Sequence, residues 1–280
     1  MPSSALQQIV EYRGVEGLVA AKILCDDNST ETNHGYVTDT PFAIAGVAEV
    51  SRTTESGQDA HYYDNIPAIV IASNGPDTLT INVSAIPLDV LAYITGQTYD
   101  SYTGALVEEV RRTEYFALGY KTKKTNGDEV YVWRYKGTFS IPDQTNQTEN
   151  AGTDAQGQTL TYVGISTTHK FAKTGKGAKA MNVDLGLDLA NVTSFFSAVT
   201  TPDSITSKTS YSLTISQAAN TTVTVTKNGT ALATGATIYA GDALTITVTG
   251  GTVTVNSQDF YSGDVHIVTG NTTVASTASA

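Results

Sequence analysis

One stretch restricts the fold more than any other: residues 113–143, TEYFALGYKTKKTNGDEVYVWRYKGTFSIPD. Apolar and polar side chains alternate on both sides of Asn126-Gly127, the pair that a two-residue type I′ turn favours because both central positions need positive φ. The stretch therefore predicts one long β-hairpin. With Thr125 opposite Asp128, Lys124 meets Glu129, Tyr120 meets Trp133 and Leu118 meets Tyr135. That register puts Phe116, Leu118, Tyr120, Trp133 and Tyr135 on one face, as a core face requires, and Lys121, Lys123, Arg134 and Lys136 on the other. A base-stacking or sugar-binding aromatic platform is the competing reading of the tyrosines, and packing is preferred.

The remainder of the 280 residues surrounds this hairpin with further β signals and has length enough for two cores. Residues 18–26 (LVAAKILCD), 42–54, 68–73 and 159–171 read as strands, and Leu79, Ile81 and Val83 alternate with polar residues in a period of two. Residues 55–65, ESGQDAHYYDN, read as an extended polar loop, and Asn74-Gly75-Pro76-Asp77 as a turn. One helix is predicted over IPLDVLAYITG, with Pro87 in its first turn, Leu88, Leu91 and Ile94 on one stripe and Gly96 as the stop. Residues 144–158 read as a polar loop, and the lysines at 170, 173, 176 and 179 as a flexible basic loop.

A boundary falls at residues 200–209, dividing 1–204 from 205–280. Beyond it, short Thr- and Val-rich strands predict a small immunoglobulin-like sandwich of about seven strands, with hairpins at Asn228-Gly229 and Gly250-Gly251. The first would set Val225 opposite Leu232. The second would set Val248 opposite Val253 and Ile246 opposite Val255.

Charge and chemistry exclude several functions. The net charge is -11, and residues 205–280 hold only two lysines against three aspartates, so -10 lies in the first part. Such acidity argues against sequence-independent nucleic-acid binding, which needs cations to displace phosphate counterions. The N-terminal residues lack a cationic segment followed by an apolar run, and no apolar run reaches roughly 18 residues, so a cytoplasmic protein without a membrane span is expected. Cys25 is the sole cysteine and reads as a buried strand residue. His34, His61, His169 and His266 have no metal-ligand spacing, and Asp26-Asp27-Asn28 lacks the spaced oxygens of an EF-hand. Gly175-Lys176-Gly177 lacks the first glycine and the hydroxyl residue of a phosphate loop, and no Gly-X-Ser-X-Gly elbow occurs. No catalytic residue, cofactor or metal is expected.

Three segments in order, AHYYDN (60–65), LTINVSAIPLDVLAYITG (79–96) and YFALGYKTKKTNGDEVYVWRYKGTFSIPD (115–143), resemble the major tail proteins of long, non-contractile-tailed bacteriophages. The resemblance runs from about residue 17 to about 205. The polar loop after Pro142 and the lysine loop at 170–179 depart from it. It implies a mainly β fold: a tail-tube β-sandwich or barrel with one short flanking α-helix, followed by an immunoglobulin-like β-sandwich like those many tail proteins display outside the tube. It also implies homo-hexameric rings stacked into the tail tube, tape-measure, tail-tip and tail-terminator proteins as partners, and DNA passing through the lumen without specific binding. Assembly in the host cytoplasm and residence in the virion tail follow. By the same analogy Glu55, His61, Tyr62, Tyr63, Asp64 and Asn65 reach an adjacent subunit. Lys121, Lys123, Arg134 and Lys136 are expected at a subunit or ring contact or outside, because a DNA conduit suits an acidic lumen. A surface adhesin or carbohydrate-binding β-protein, and the tube protein of a contractile tail or secretion device, are the alternative readings.

Overall fold

A computed structural model describes residues 9–63, 66–145 and 157–279. The chain divides into two compact units, Met1–Ile205 and Thr206–Ala280. Each has its own apolar core.

The first unit opens with β1 (Tyr12–Asp26), β2 (Tyr36–Thr38), β3 (Phe42–Ala43), β4 (Val47–Tyr63) and β5 (Ile66–Val83). The helix α1 (Leu88–Thr95) follows, then the short strands β6 (Thr98–Asp100) and β7 (Ala105–Val107), and the central hairpin β8 (Phe116–Lys124) and β9 (Glu129–Phe139). The unit is completed by β10 (Asp143–Gln144), β11 (Gln158–Ile165), β12 (Ala180–Asp184) and β13 (Ala190–Asn191). Its large sheet runs β2-β1-β8-β9-β11-β5-β4, with β12 also on β9. The two ends of that path, β2 and β4, are not paired with each other among the described residues, so the sheet is an open sandwich layer and not a closed barrel.

The central hairpin forms where expected, but its register is displaced by one residue. Lys123 faces Glu129, Tyr120 faces Val132, Gly119 faces Trp133 and Leu118 faces Arg134. The turn explains the shift. Only Gly127 takes positive φ, 93°, and the loop has three residues: Gly127 N–H donates to Lys124 O at 3.0 Å and Lys124 N–H to Asp128 O at 2.7 Å. This is a type I turn closed by a glycine bulge. Asn126 accepts the Asp128 N–H at 3.2 Å and donates to the Asp128 carboxylate at 2.7 Å, which holds it in that form.

A one-residue slip exchanges the faces of one strand against the other, and both faces turn out to be buried. Leu118, Tyr120, Val130 and Val132 pack with Leu79, Ile81, Leu160 and Tyr162 and with Leu91 and Ile94 of α1. Ala117, Trp133 and Tyr135 face the other way, against Phe171, Val183, Phe195 and Val199. The aromatic residues are core as expected, in two cores instead of one. Gly119 is required by this arrangement: a Cβ there would lie 2.9 Å from both the Trp133 ring and Val19.

Helix α1 begins one residue later than its sequence suggests. Pro87 is the N-cap, its ψ of 140° still extended, and Gly96 ends the helix at φ 70°. The buried stripe is Leu91, Ala92, Ile94 and Thr95, while Leu88 is half exposed.

After β14 (Thr206–Ser207), the second unit holds β15 (Ser210–Ser216), β16 (Thr222–Lys227), β17 (Thr230–Leu232), β18 (Thr237–Tyr239) and β19 (Ala243–Thr249). β20 (Gly251–Val255), β21 (Gln258–Phe260), β22 (Val265–Ile267) and β23 (Thr272–Ala278) complete it. Two sheets, β18-β15-β23-β20-β21 and β17-β16-β19-β22, share a core of Leu213, Val225, Ile238, Leu244, Ile246, Val253 and Val274. The Asn228-Gly229 hairpin has the expected register, Val225 opposite Leu232, with positive φ at both turn residues. Gly250-Gly251 is not a hairpin. Val248 pairs with Val223 and Val253 with Phe260 and Ser276, so the chain crosses there from one sheet to the other. Alternation alone satisfies either arrangement, since valines face inward in both.

Candidate assembly surface

The feature that stands out from the first unit is the hairpin of β4 and β5, 17 and 18 residues long. Pairing runs from Val47↔Val83 out to Tyr63↔Ile66. The inner half of β5 is also covered by β11, from Gln158↔Val83 to Gly164↔Asp77. Past Asp77, no third strand among the described residues lies beside residues 56–63 and 66–74. At about 3.3 Å per residue the eight outer positions make an arm of roughly 26 Å.

The polar loop expected at 55–65 is therefore mostly strand. Its composition is poor for β structure, but its partner segment, IPAIVIA at 66–72, is rich in β-branched residues, and pairing overrides local propensity. His61, Tyr62 and Tyr63 lie on β4 near the tip, Ile66 beside them is exposed, and Asp64 and Asn65 fall outside the described residues. The turn expected at Asn74-Gly75-Pro76-Asp77 is a bulge within β5. The register shifts there between Thr54↔Asp77 and Ser56↔Asn74, with Glu55 opposite. Pro76 has no N–H to contribute to a ladder, and a Cβ on Gly75 would meet Glu55 Cβ at 2.8 Å.

The arm is rooted in a buried ionic cluster. Asp77 accepts from Arg134 Nη1 at 2.7 Å and lies 3.4 Å from Lys179 Nζ, which also donates to the Gly75 carbonyl. Arg134 is 3% exposed and Asp77 5%. Burial pushes the Asp77 carboxyl up, but the charges and hydrogen bonds of Lys179 and Arg134 outweigh it and hold the group below its ordinary value. A carboxylate so placed fixes the position of β5 against β9 where the arm leaves the body.

Arg134 is consequently not part of a basic face. The one-residue register shift turns it to the side of Leu118, away from Lys121 and Lys123. Lys136 is also used internally: its Nζ lies 2.5 Å from Asp26, whose carboxyl also accepts from the Thr168 and His169 amides. Burial raises the Asp26 carboxyl and these contacts lower it further, with a net downward shift. Of the four, only Lys121 and Lys123 remain together, toward the turn end of the Trp133 side. Lys121 Nζ is 3.7 Å from Glu16 and lies over the Tyr131 ring, and Lys123 Nζ is 3.7 Å from Glu129.

Several structural residues carried no clear sequence signal. The segment around Phe195, Phe196 and Val199 closes the second face of the hairpin, with Trp133 Nε1 donating to Phe195 O at 2.8 Å and Tyr135 Oη to Thr200 O at 3.1 Å. The basic loop is fastened in place: Asp203 accepts the Ala172 and Lys173 amides, each at 2.8 Å, and Phe171 bridges Lys176. Asn28 grips the same region through Thr168 O and the Lys170 amide. Asp26-Asp27-Asn28 is thus a clasp between two loops. The end of β1 also brings Cys25, Asp27 and His34 together, although sequence spacing gave no hint of it. His169 packs edge-on to Phe171, and His266 is near Thr272. No helix among the described residues is long and apolar enough to cross a membrane.

The first unit is thus a mainly β body whose β4–β5 hairpin runs on past its third strand, with Asp26 and Asp77 paired internally. A family model for the phage tail tube protein matches residues 48–200, which spans the arm, the helix, the central hairpin and the segment covering Trp133. The chain belongs to that family. It is a structural protein of the virion tail that self-assembles into a tube with other tail proteins, a non-enzymatic role. A search of curated proteins found no match.

Proposed function

We propose that this chain polymerises as stacked hexameric rings into a tail tube, the conduit for DNA entering the host, and that the β4–β5 arm is the main contact between subunits. One observation carries the reading: the outer arm has no third strand beside it among the described residues. A two-stranded ribbon is marginal in water, and its unpaired edges invite strands from another chain. Ring closure supplies such edges. Glu55, His61, Tyr62, Tyr63, Asp64 and Asn65 then contact the adjacent subunit, with the tyrosines as anchors. Lys121 and Lys123 face a neighbour or the exterior, whereas Arg134 and Lys136 are withdrawn by their internal partners. Tape-measure, tail-tip and tail-terminator proteins complete the tail, and assembly takes place in the host cytoplasm.

The net charge of -11 supports a lumen that repels phosphate, so DNA passes without sticking. The second unit, with its separate core, is read as an immunoglobulin-like decoration outside the tube. Negative-stain microscopy of the purified protein across a concentration series tests the proposal. Tubes or stacked six-fold rings are expected, and a monomer at every concentration would overturn it.

A further inference from the structure

Where β1 ends, the chain makes a closed loop whose geometry gathers three different metal-ligand types. The Asp27 amide donates to Gly35 O at 3.0 Å, and Asp27 Oδ1 accepts the Ser29 and Gly35 amides at 3.0 and 2.8 Å. Gly35, at φ 88°, makes the return that this closure needs. With Oδ1 held by backbone, Oδ2 is presented to the other two groups. His34 Nδ1 lies 2.7 Å from it and Cys25 Sγ 3.3 Å, and the three ligand atoms all lie within 4.8 Å of one another. Asp27 stands between the thiol and the imidazole, an order that does not suit base activation of a nucleophilic cysteine.

We infer that Cys25, Asp27 and His34 form a binding site for a single Zn²⁺ ion, with water as the fourth ligand. The donor set selects the metal. Thiolate, imidazole and carboxylate together suit borderline-soft Zn²⁺, whereas Ca²⁺ and Mg²⁺ take oxygen ligands. The amides on Oδ1 are outer-shell partners of the kind that orient a ligating carboxylate. Binding breaks the Cys25 S–H bond and releases that proton to solvent, and the His34 ring coordinates through Nδ1 with its proton on Nε2. Two further groups border the site without entering it: the Asp26 carboxylate is taken by Lys136 and two amides, and His169 Nδ1 contacts the Asp27 carbonyl at 2.7 Å. The ion would tie the 27–35 loop to β1 beside the loop that Asp26 and Asn28 already grip.

The test is titration of chelator-stripped full-length protein with Zn²⁺ by calorimetry and with Co²⁺ by absorption spectroscopy. One ion per chain, a thiolate-to-cobalt charge-transfer band and the visible bands of tetrahedral Co²⁺ are expected. Cys25→Ser should abolish the charge-transfer band, and it and His34→Ala should each weaken Zn²⁺ about tenfold or more. The His34 side chain is 43% exposed and serine is close in size to cysteine, so circular dichroism should show both variants folded. Absence of the thiolate band in the wild type, or Zn²⁺ affinity unchanged in both variants, overturns the site.

Discussion

The two long hairpins of the first unit are built from the same kind of element and covered very differently. The β8–β9 hairpin is enclosed on both faces, and β9 is buried at alternate and even consecutive positions, because α1 and β5 lie on one side and the Phe195 segment on the other. The β4–β5 hairpin shares the sheet only along its inner half. A strand with neighbours on its edges and layers on its faces holds a monomer together. One that has no third strand beside it along its outer half, among the described residues, leaves edge backbone groups to be satisfied elsewhere. In the proposed tube, folding and assembly would fall to separate stretches of one sheet, divided at the Asp77 cluster.

That division can be attacked by substitution. The largest effect is expected at the boundary itself. Asp77→Asn leaves Arg134 buried without a carboxylate and should cost about 3–5 kcal/mol, read by urea unfolding; a loss under about 1 kcal/mol would mean the cluster does not brace the arm's root. Trp133→Ala, inside the enclosed hairpin, should cost about 3–5 kcal/mol as well, through lost packing and a cavity, whereas Tyr62→Ala in the arm should leave unfolding within about 0.5 kcal/mol and impair tubes. Equal destabilisation by both would erase the contrast.

Acid should act on the braced region. Asp26 and Asp77 have folded pKa values below the unfolded ones. Their contribution is complete above the ordinary carboxylate range, about 4, and disappears as pH falls through the folded values. Unfolding followed from pH 7 downward should therefore show stability falling below about pH 4, and Asp77→Asn should flatten that fall. A smaller effect is expected at Lys123→Glu, about 1 kcal/mol or less in the monomer. Smallest of all, removal of residues 206–280 should leave tube formation unchanged by microscopy, and loss of tubes would make the second unit structural.

How far these features were legible depended on whether the deciding contact was local. The Asn228-Gly229 turn has positive φ at both residues and gives the register its sequence predicts. Asn126-Gly127 has the same residues, but the Asn126 side chain bonds to Asp128 and selects a three-residue loop. That single difference moved Trp133 and Arg134 to faces opposite those expected. Residues 55–65 read as a loop, while 68–73 read as strand, because ESGQDAHYYDN has no alternation of its own; residues 56–63 take their conformation from pairing with 66–74. The ionic root, the Phe195 cover and the Cys25–Asp27–His34 cluster rest on contacts that spacing along the chain does not encode. Alternation, in contrast, marked Leu79, Ile81 and Val83 correctly, since burial on one face of a strand is a local pattern.

The most direct test shortens the arm while keeping its root. Replacing residues 57–73 with an Asn-Gly turn retains Ser56↔Asn74, the bulge and the Asp77 cluster. Thermal unfolding and negative-stain microscopy would be measured on the same preparation. The account predicts a monomer that melts within a few degrees of the full-length chain and forms no tubes at any concentration. Normal tubes from the shortened chain would contradict it.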